Sequence, residues 1–320
     1  MKPILDIQAI LDAALAGGPY ESIEELNRRL AADMERYNAR PQAELCGLSP
    51  DQTRQLLYGD WATSGALRLN ESITCDELAG APIFADTRTL LEYVQSEGAV
   101  QETAARNLPR AAVATLVPKL RMAEQSRVAM ALGHRQPLHE ADVLWLHALR
   151  HTLMFANLLT RRKGLRISPR GRQLLPDAQA GALYALIFRT LFREFDLRFF
   201  SRLQHHAGLQ SSVGFSLYKL RTDARDWASP ESLSKTAWLP SAKEPLTDWE
   251  VEYGDLSSAA FRLRVLEPLM QFGLLAERVV GKRDQFIELR EYRCTPLYDR
   301  FLRFEFEQAN RGRRRDPFLL

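Results

Sequence analysis

The chain has 320 residues, 46% of them hydrophobic and 26% charged, with a net charge of +3. This ordinary globular composition excludes a disordered or supercharged polypeptide, and at roughly 100–200 residues per domain the length predicts two or three domains. Cys46, Cys75 and Cys294 stand apart, which excludes a disulfide framework and a Cys-x-x-Cys metal knuckle.

Asp6 and Asp12 interrupt the apolar N-terminal stretch, so no signal peptide is read there. No run approaches the roughly 20 apolar residues needed to span a bilayer. The expectation is a cytoplasmic protein with no membrane partner and no cofactor.

The charge is unevenly placed: residues 1–60 carry six Lys/Arg against ten Asp/Glu, and residues 150–203 carry eleven against three. The basic middle reads either as a polyanion-facing surface or as a solvated face. Of the 43 cationic residues 36 are Arg. That bias fits phosphate recognition by planar guanidinium groups and equally fits a GC-rich coding sequence.

In chain order, apolar residues recurring at three and four predict helices over 3–16 and 22–36, parted by Gly17, Gly18 and Pro19. Ser22 with Glu25 and Ser49-Pro50 with Gln52 mark helix starts, the second opening a helix over 51–58. These form an acidic, appended helical module, residues 1–80. The Gly-rich and polar stretch 61–82 predicts a loop or two short strands. Helices over 86–96, 110–120, 140–156 and 180–203 build a first unit, residues 81–203. Residues 204–250, with Trp227, Trp238 and Trp249, read as a connector. A second unit, residues 251–320, ends in the basic tail Arg311 to Arg315.

An internal echo carries the fold expectation. Leu153-Met154-Phe155-Ala156-Asn157-Leu158-Leu159 is matched by Leu269-Met270-Gln271-Phe272-Gly273-Leu274-Leu275, and Arg166-Ile167-Ser168-Pro169 by Arg293-Cys294-Thr295-Pro296. Each copy reads as a helix ended by a residue that tolerates the left-handed region, Asn157 or Gly273. A strand, a turn and a returning strand follow, then a Ser/Thr-Pro helix start. The predicted class is therefore mainly α, with tandem winged-helix units carrying short β-hairpin wings behind an N-terminal helical module. Two unrelated helix–hairpin–helix junctions are the alternative.

The pattern resembles the "Gly-Leu-Leu, wing, Thr-x-x-Gly" ending of bacterial winged-helix regulators. The first copy follows it through Gly171, and the second departs at Tyr298. Residues 90–200, with Asn107-Leu108-Pro109-Arg110, Lys163-Gly164 and Ser168-Pro169-Arg170-Gly171-Arg172, are similar to a helical region beside plasmid ORF-3-like and SEC-C-type domains of bacteria. That resemblance implies architecture and a mobile-element context, and it transfers no catalytic residue.

The first wing and the helix start after it hold Arg161, Arg162, Lys163, Arg166, Arg170 and Arg172 with no intervening acid. Cations on a wing lie along a sugar-phosphate backbone and gain affinity by releasing counterions; a solvated hairpin tip is the alternative. The helix before each wing is the recognition position. In the second copy it offers Arg262 or Arg264 to a guanine edge, and in the first its polar positions are Asp142, His147, Arg150 and His151. His134 and His139 lie close by in sequence, and His147 with His151 stand one helical turn apart, a zinc-compatible spacing, but neither a nearby Cys nor an HExxH frame accompanies them. The three Trp residues either stack on bases or anchor the connector. Phosphate-binding loop, nucleophile-elbow and Rossmann signatures are missing.

The expected function is duplex DNA binding through Arg-rich winged-helix units, in a plasmid, phage-related or defence locus. The alternatives are a DNA-processing enzyme such as a winged-helix glycosylase, and a protein-interaction adaptor.

Overall fold

The computed structural model describes Asp12, Ala16, Tyr20 and residues 22–122, 139–201, 206, 208–243, 256–282 and 288–306; these are mainly helical, with three small antiparallel strand pairs. The helix expected over 3–16, apart from Asp12 and Ala16, and His134, Trp249 and the tail 311–315 lie outside the described residues.

Polar caps set the helix starts. The Ser22 hydroxyl accepts the Glu25 amide at 3.2 Å to open α1 (Ile23–Ala39). Ser49 and Gln52 cap each other reciprocally ahead of α2 (Pro50–Tyr58), each such cap contributing about 1 kcal/mol. After β1 (Leu67–Leu69) come α3 (Pro82–Glu97), α4 (Arg110–Leu116) and α5 (Leu144–Phe155), then the hairpin β2 (Leu159–Arg161) and β3 (Leu165–Ile167), then α6 (Pro169–Leu174) and α7 (Ala180–Arg193).

Three predicted helices are shorter than their apolar pattern. Past Leu116 the chain tightens into a 3-10 turn, Val117–Lys119, around Pro118, which has no amide to continue an α-helix. The helix expected from 140 starts as a separate turn, Glu140–Asp142. Beyond Arg193 the run is broken at Asp196, whose carboxylate accepts the Arg198 amide at 2.9 Å and caps Leu197–Phe200.

Farther on, α8 (Val213–Asp223) and α9 (Pro230–Thr236) precede α10, which runs through Ser257–Phe261, a π-helical Arg262–Leu266 and Glu267–Gln271. The chain then forms β4 (Leu275–Lys282), β5 (Glu288–Cys294), α11 (Pro296–Phe301) and β6 (Leu302–Phe304).

The sequence echo is reproduced in the hydrogen bonds around each helix end, although Ser168 caps the following helix with its hydroxyl and Thr295 does not. Leu158 N donates to Leu153 O at 2.9 Å, and Leu274 N to Leu269 O at 2.9 Å. Asn157 and Gly273 both hold positive φ, 55° and 70°. The Ser168 hydroxyl donates to Asn157 O at 2.6 Å, as Thr295 does to Gly273 O at 2.7 Å. A third strand position joins each hairpin: Val100 exchanges backbone hydrogen bonds with Leu165, and Ala228 does so with Tyr292. The segment expected to be a connector therefore supplies α9 and this bridging strand position, so the second repeat begins at α8.

The two repeats share one core. In α7, Phe188 meets Phe272 and Phe301 edge-on at 5.0 and 5.1 Å, and the Tyr184 hydroxyl donates to Phe272 O. Each aromatic ring buried this way contributes about 1.5–3 kcal/mol. The N-terminal elements are built in as well: β1 pairs with β6, Leu67 opposite Phe304. Gly214 of α8 sits so close to α2 that a Cβ would lie 2.1 Å from Leu56 O. Within the module expected over residues 1–80, β1 and α2 therefore pack directly on elements of the second repeat.

Candidate nucleic-acid interface

The first hairpin is anchored on one side and open on the other. Leu159 pairs with Ile167, Thr160 with Arg166, and Arg161 with Leu165. Residues opposite each other share a face, so Leu159, Leu165 and Ile167 enter the core while Arg166 faces solvent. Lys163 at φ 52° and Gly164 at φ 104° make the tip. A Cβ on Gly164 would lie 2.9 Å from Val100 O, so glycine lets the tip close against the bridging strand position.

Arg162, Lys163, Arg166, Arg170 and Arg172 are exposed, and none has an acidic partner among the described residues. Their contacts are to backbone: Arg166 Nε donates to Arg162 O at 3.1 Å and Arg172 Nη1 to Ile167 O at 3.1 Å. Such bonds fix the stems and leave the remaining guanidinium donors to solvent. Beside Arg170, between α6 and α7, a cavity of about 250 Å³ is lined by Arg170, Gln173, Leu186, Arg189 and Glu71.

Arg161 differs from its neighbours. It lies on the protein-facing side with Leu165, and its Nε donates to both Glu102 oxygens at 3.0 and 2.9 Å. Glu102 also accepts from Arg150 Nη1 at 3.3 Å, and Arg150 Nε donates to Glu140 at 2.7 Å. Glu140 and Arg150 are fully buried, 0% and 1% exposed at the side chain. The remaining partners of Glu140 are the Leu108 amide and His147 Nδ1 at 2.7 Å. Burial works to raise the Glu140 pKa; hydrogen bonds from His147 and Leu108 and the Arg150 charge outweigh it and hold the carboxyl below its usual range. Burial, together with the Arg150 and His147 charges, pushes His151 down to about 4.

The expected recognition-helix residues are engaged elsewhere. Arg264 is 1% exposed; it donates to Ser201 Oγ at 2.8 Å and His206 O at 3.1 Å, and it lines a cavity of about 320 Å³ with Glu194, Asp196 and Arg198. Arg262 is ion-paired with Glu267. Asp142 accepts the His139 amide at 2.8 Å. His147 and His151 have ring centroids 4.5 Å apart, with His147 stacked on Phe199. Among the described residues no three His, Cys, Asp or Glu side chains are grouped to hold a metal.

In the second hairpin the charges pair internally, Arg278 with Glu291 and Arg290 with Glu277 and Glu288. Trp227 lies between the Arg278 and Arg293 guanidinium groups at 4.6 and 4.7 Å, and Trp238 is buried beside Phe261. Both tryptophans anchor the segment before α10, the second of the two roles expected for them. Sequence reading missed Glu102 and Glu140, the acids that secure the first hairpin, and Arg189, which reaches the cavity from α7. The only signal for Arg189 was its place among the arginines of an otherwise apolar helix.

Residues 79–181 match the sequence model of the Y4jL N-terminal domain. The match spans α3 through the first hairpin and α6, and its description names a domain without a ligand or a reaction. No curated protein and no solved structure matches the chain. No helix among the described residues is long and apolar enough to cross a membrane.

Proposed function

We propose that the chain binds duplex nucleic acid through its first hairpin and α6, using the hairpin as the wing of a winged-helix unit. The observation that carries this reading is the row Arg162, Lys163, Arg166, Arg170 and Arg172, exposed and unmatched by acid among the described residues. The order α3, Val100, α4, α5, β2, β3 supports it, because it follows the helix–strand–helix–helix–strand–wing–strand sequence of winged helices; α8, Ala228, α9, α10, β4, β5 repeat that order. The mobile-element setting implied by the plasmid ORF-3-like and SEC-C resemblance belongs to the same proposal.

The chemistry is counterion release. Each phosphate neutralised on B-DNA contributes a slope of about −0.9 to log K against log salt. The Arg161–Glu102 pair fixes the strand so that the neighbouring cations are presented together. Fluorescence anisotropy with a labelled duplex at two salt concentrations tests the reading. Wild-type protein binds with steep salt dependence, and an Arg162→Ala, Lys163→Ala, Arg166→Ala variant of unchanged melting temperature loses most of that affinity. Equal binding by the two proteins refutes it.

A further inference from the structure

The helices that a winged helix would present to bases are closed off here. In α5, Trp145, Leu146, Leu149, Arg150, Thr152 and Leu153 are buried, and the exposed large side chains are apolar ones at its two ends, Leu144 and Phe155. In α10, Ser257, Arg264 and Gln271 are buried and Arg262 is paired with Glu267. Base edges are read by hydrogen bonds from side chains that enter a groove. Among the described residues neither helix offers an exposed set of such groups.

The basic surface, by contrast, continues beyond the hairpin. Arg170 stands both in the cationic row and at the rim of the cavity between α6 and α7, whose opposite wall carries Arg189. Neither guanidinium has a salt-bridge partner among the described residues, and Gln173 adds an amide beside them. Glu71 lines the same cavity, so the site holds two cations against one carboxylate.

Resting on the reading proposed above, we infer that the ligand is read through its backbone and not its sequence. Its phosphates follow a track from Arg162 and Lys163, past Arg166 and Arg170, into the cavity where Arg189 and Gln173 hold a further phosphate. The track lies in the first repeat, since Arg278 and Arg290 of the second hairpin are paired with its own glutamates and Arg293 packs on Trp227.

The test uses the full chain and several labelled duplexes of equal length and unrelated sequence, with Kd measured across a salt series. The inference expects the duplexes to bind within about threefold of one another, whereas sequence-specific proteins separate target from non-target by about a thousandfold or more. It expects Arg170→Ala with Arg189→Ala to weaken binding about tenfold at low salt and to flatten the slope by about 1.8, two phosphates' worth. Arg189→Lys, which keeps the charge, retains the slope, and melting curves verify that each variant is folded.

A duplex preferred by a hundredfold or more, or an unchanged slope in the folded double variant, overturns the inference and leaves the nucleic-acid reading standing. Failure of wild-type protein to bind any duplex at low salt overturns the reading and the inference together.

Discussion

Where β2 carries Arg161, the matching position of β4 carries Glu277, and the two hairpins part company there. Arg161 reaches out of its hairpin to Glu102. Glu277 stays within its own, taking Arg290 and the Tyr292 hydroxyl, the latter at 2.8 Å. The first hairpin is therefore held by an acid from outside, and its remaining cations stay unmatched. The second pairs Arg278 and Arg290 with its own glutamates. A shared hydrogen-bond frame fixes where a hairpin goes, and charge placement decides whether it offers a polyanion anything.

Helix α5 sharpens the contrast most. Its Arg150 corresponds to Leu266 of α10, an apolar core position. Giving the first repeat the second's residue, Arg150→Leu, leaves Glu140 buried beside an apolar chain. Denaturant unfolding should show a loss of about 3–5 kcal/mol, the cost of an orphaned buried charge. A loss below 1 kcal/mol breaks the claim that this network holds the first repeat.

The next pair concerns the helix after each hairpin. Gly171 lies where a Cβ would stand 2.4 Å from Leu158 O, so Gly171→Ala should cost about 1–3 kcal/mol by overpacking. Its counterpart Tyr298 instead donates its buried hydroxyl to Leu217 O at 2.5 Å. Tyr298→Phe keeps the ring and removes that bond, a loss of about 1 kcal/mol. Thermal melts of the two variants rank them, and the reverse order would show that close backbone approach does not fix the glycine.

The smallest expected effect is on acid stability. His151 titrates near about 4 in the fold against 6.5 ordinarily, so the unfolded chain takes up the proton first and stability declines as pH falls from 6.5 toward 4. Glu140, held below its usual range, adds stability that is present above its unfolded value and lost as pH drops through its folded one. His151→Gln should flatten the upper part of the decline in melting temperature and leave the lower part. An unaltered profile would contradict the assignment to His151.

The hairpins were legible because their signals are local: Asn157 or Gly273 to end a helix, Ser168-Pro169 or Thr295-Pro296 to begin one. The row from Arg162 to Arg172 was legible for the same reason. Partners remote in sequence were not. Glu102 and Arg161 meet only after the bridging strand position at Val100 is in place, and nothing in a single alanine, Ala228, announces the corresponding strand. The pairing of β1 with β6 joins two three-residue Leu-Arg segments far apart in the chain, too short to show a period. Arg264 carried the same letter as the arginines of the first hairpin, and only the packing of α10 shows that it is buried.

The most direct test of the central claim is a side-by-side salt titration of duplex binding by two triple-alanine variants, Arg162/Lys163/Arg166 in the first hairpin and Arg278/Arg290/Arg293 in the second, against wild type. The first should flatten the slope of log K against log salt by about 2.7, three phosphates' worth, while the second leaves the slope within experimental error of wild type. Equal flattening by both, or flattening by the second alone, would contradict the account.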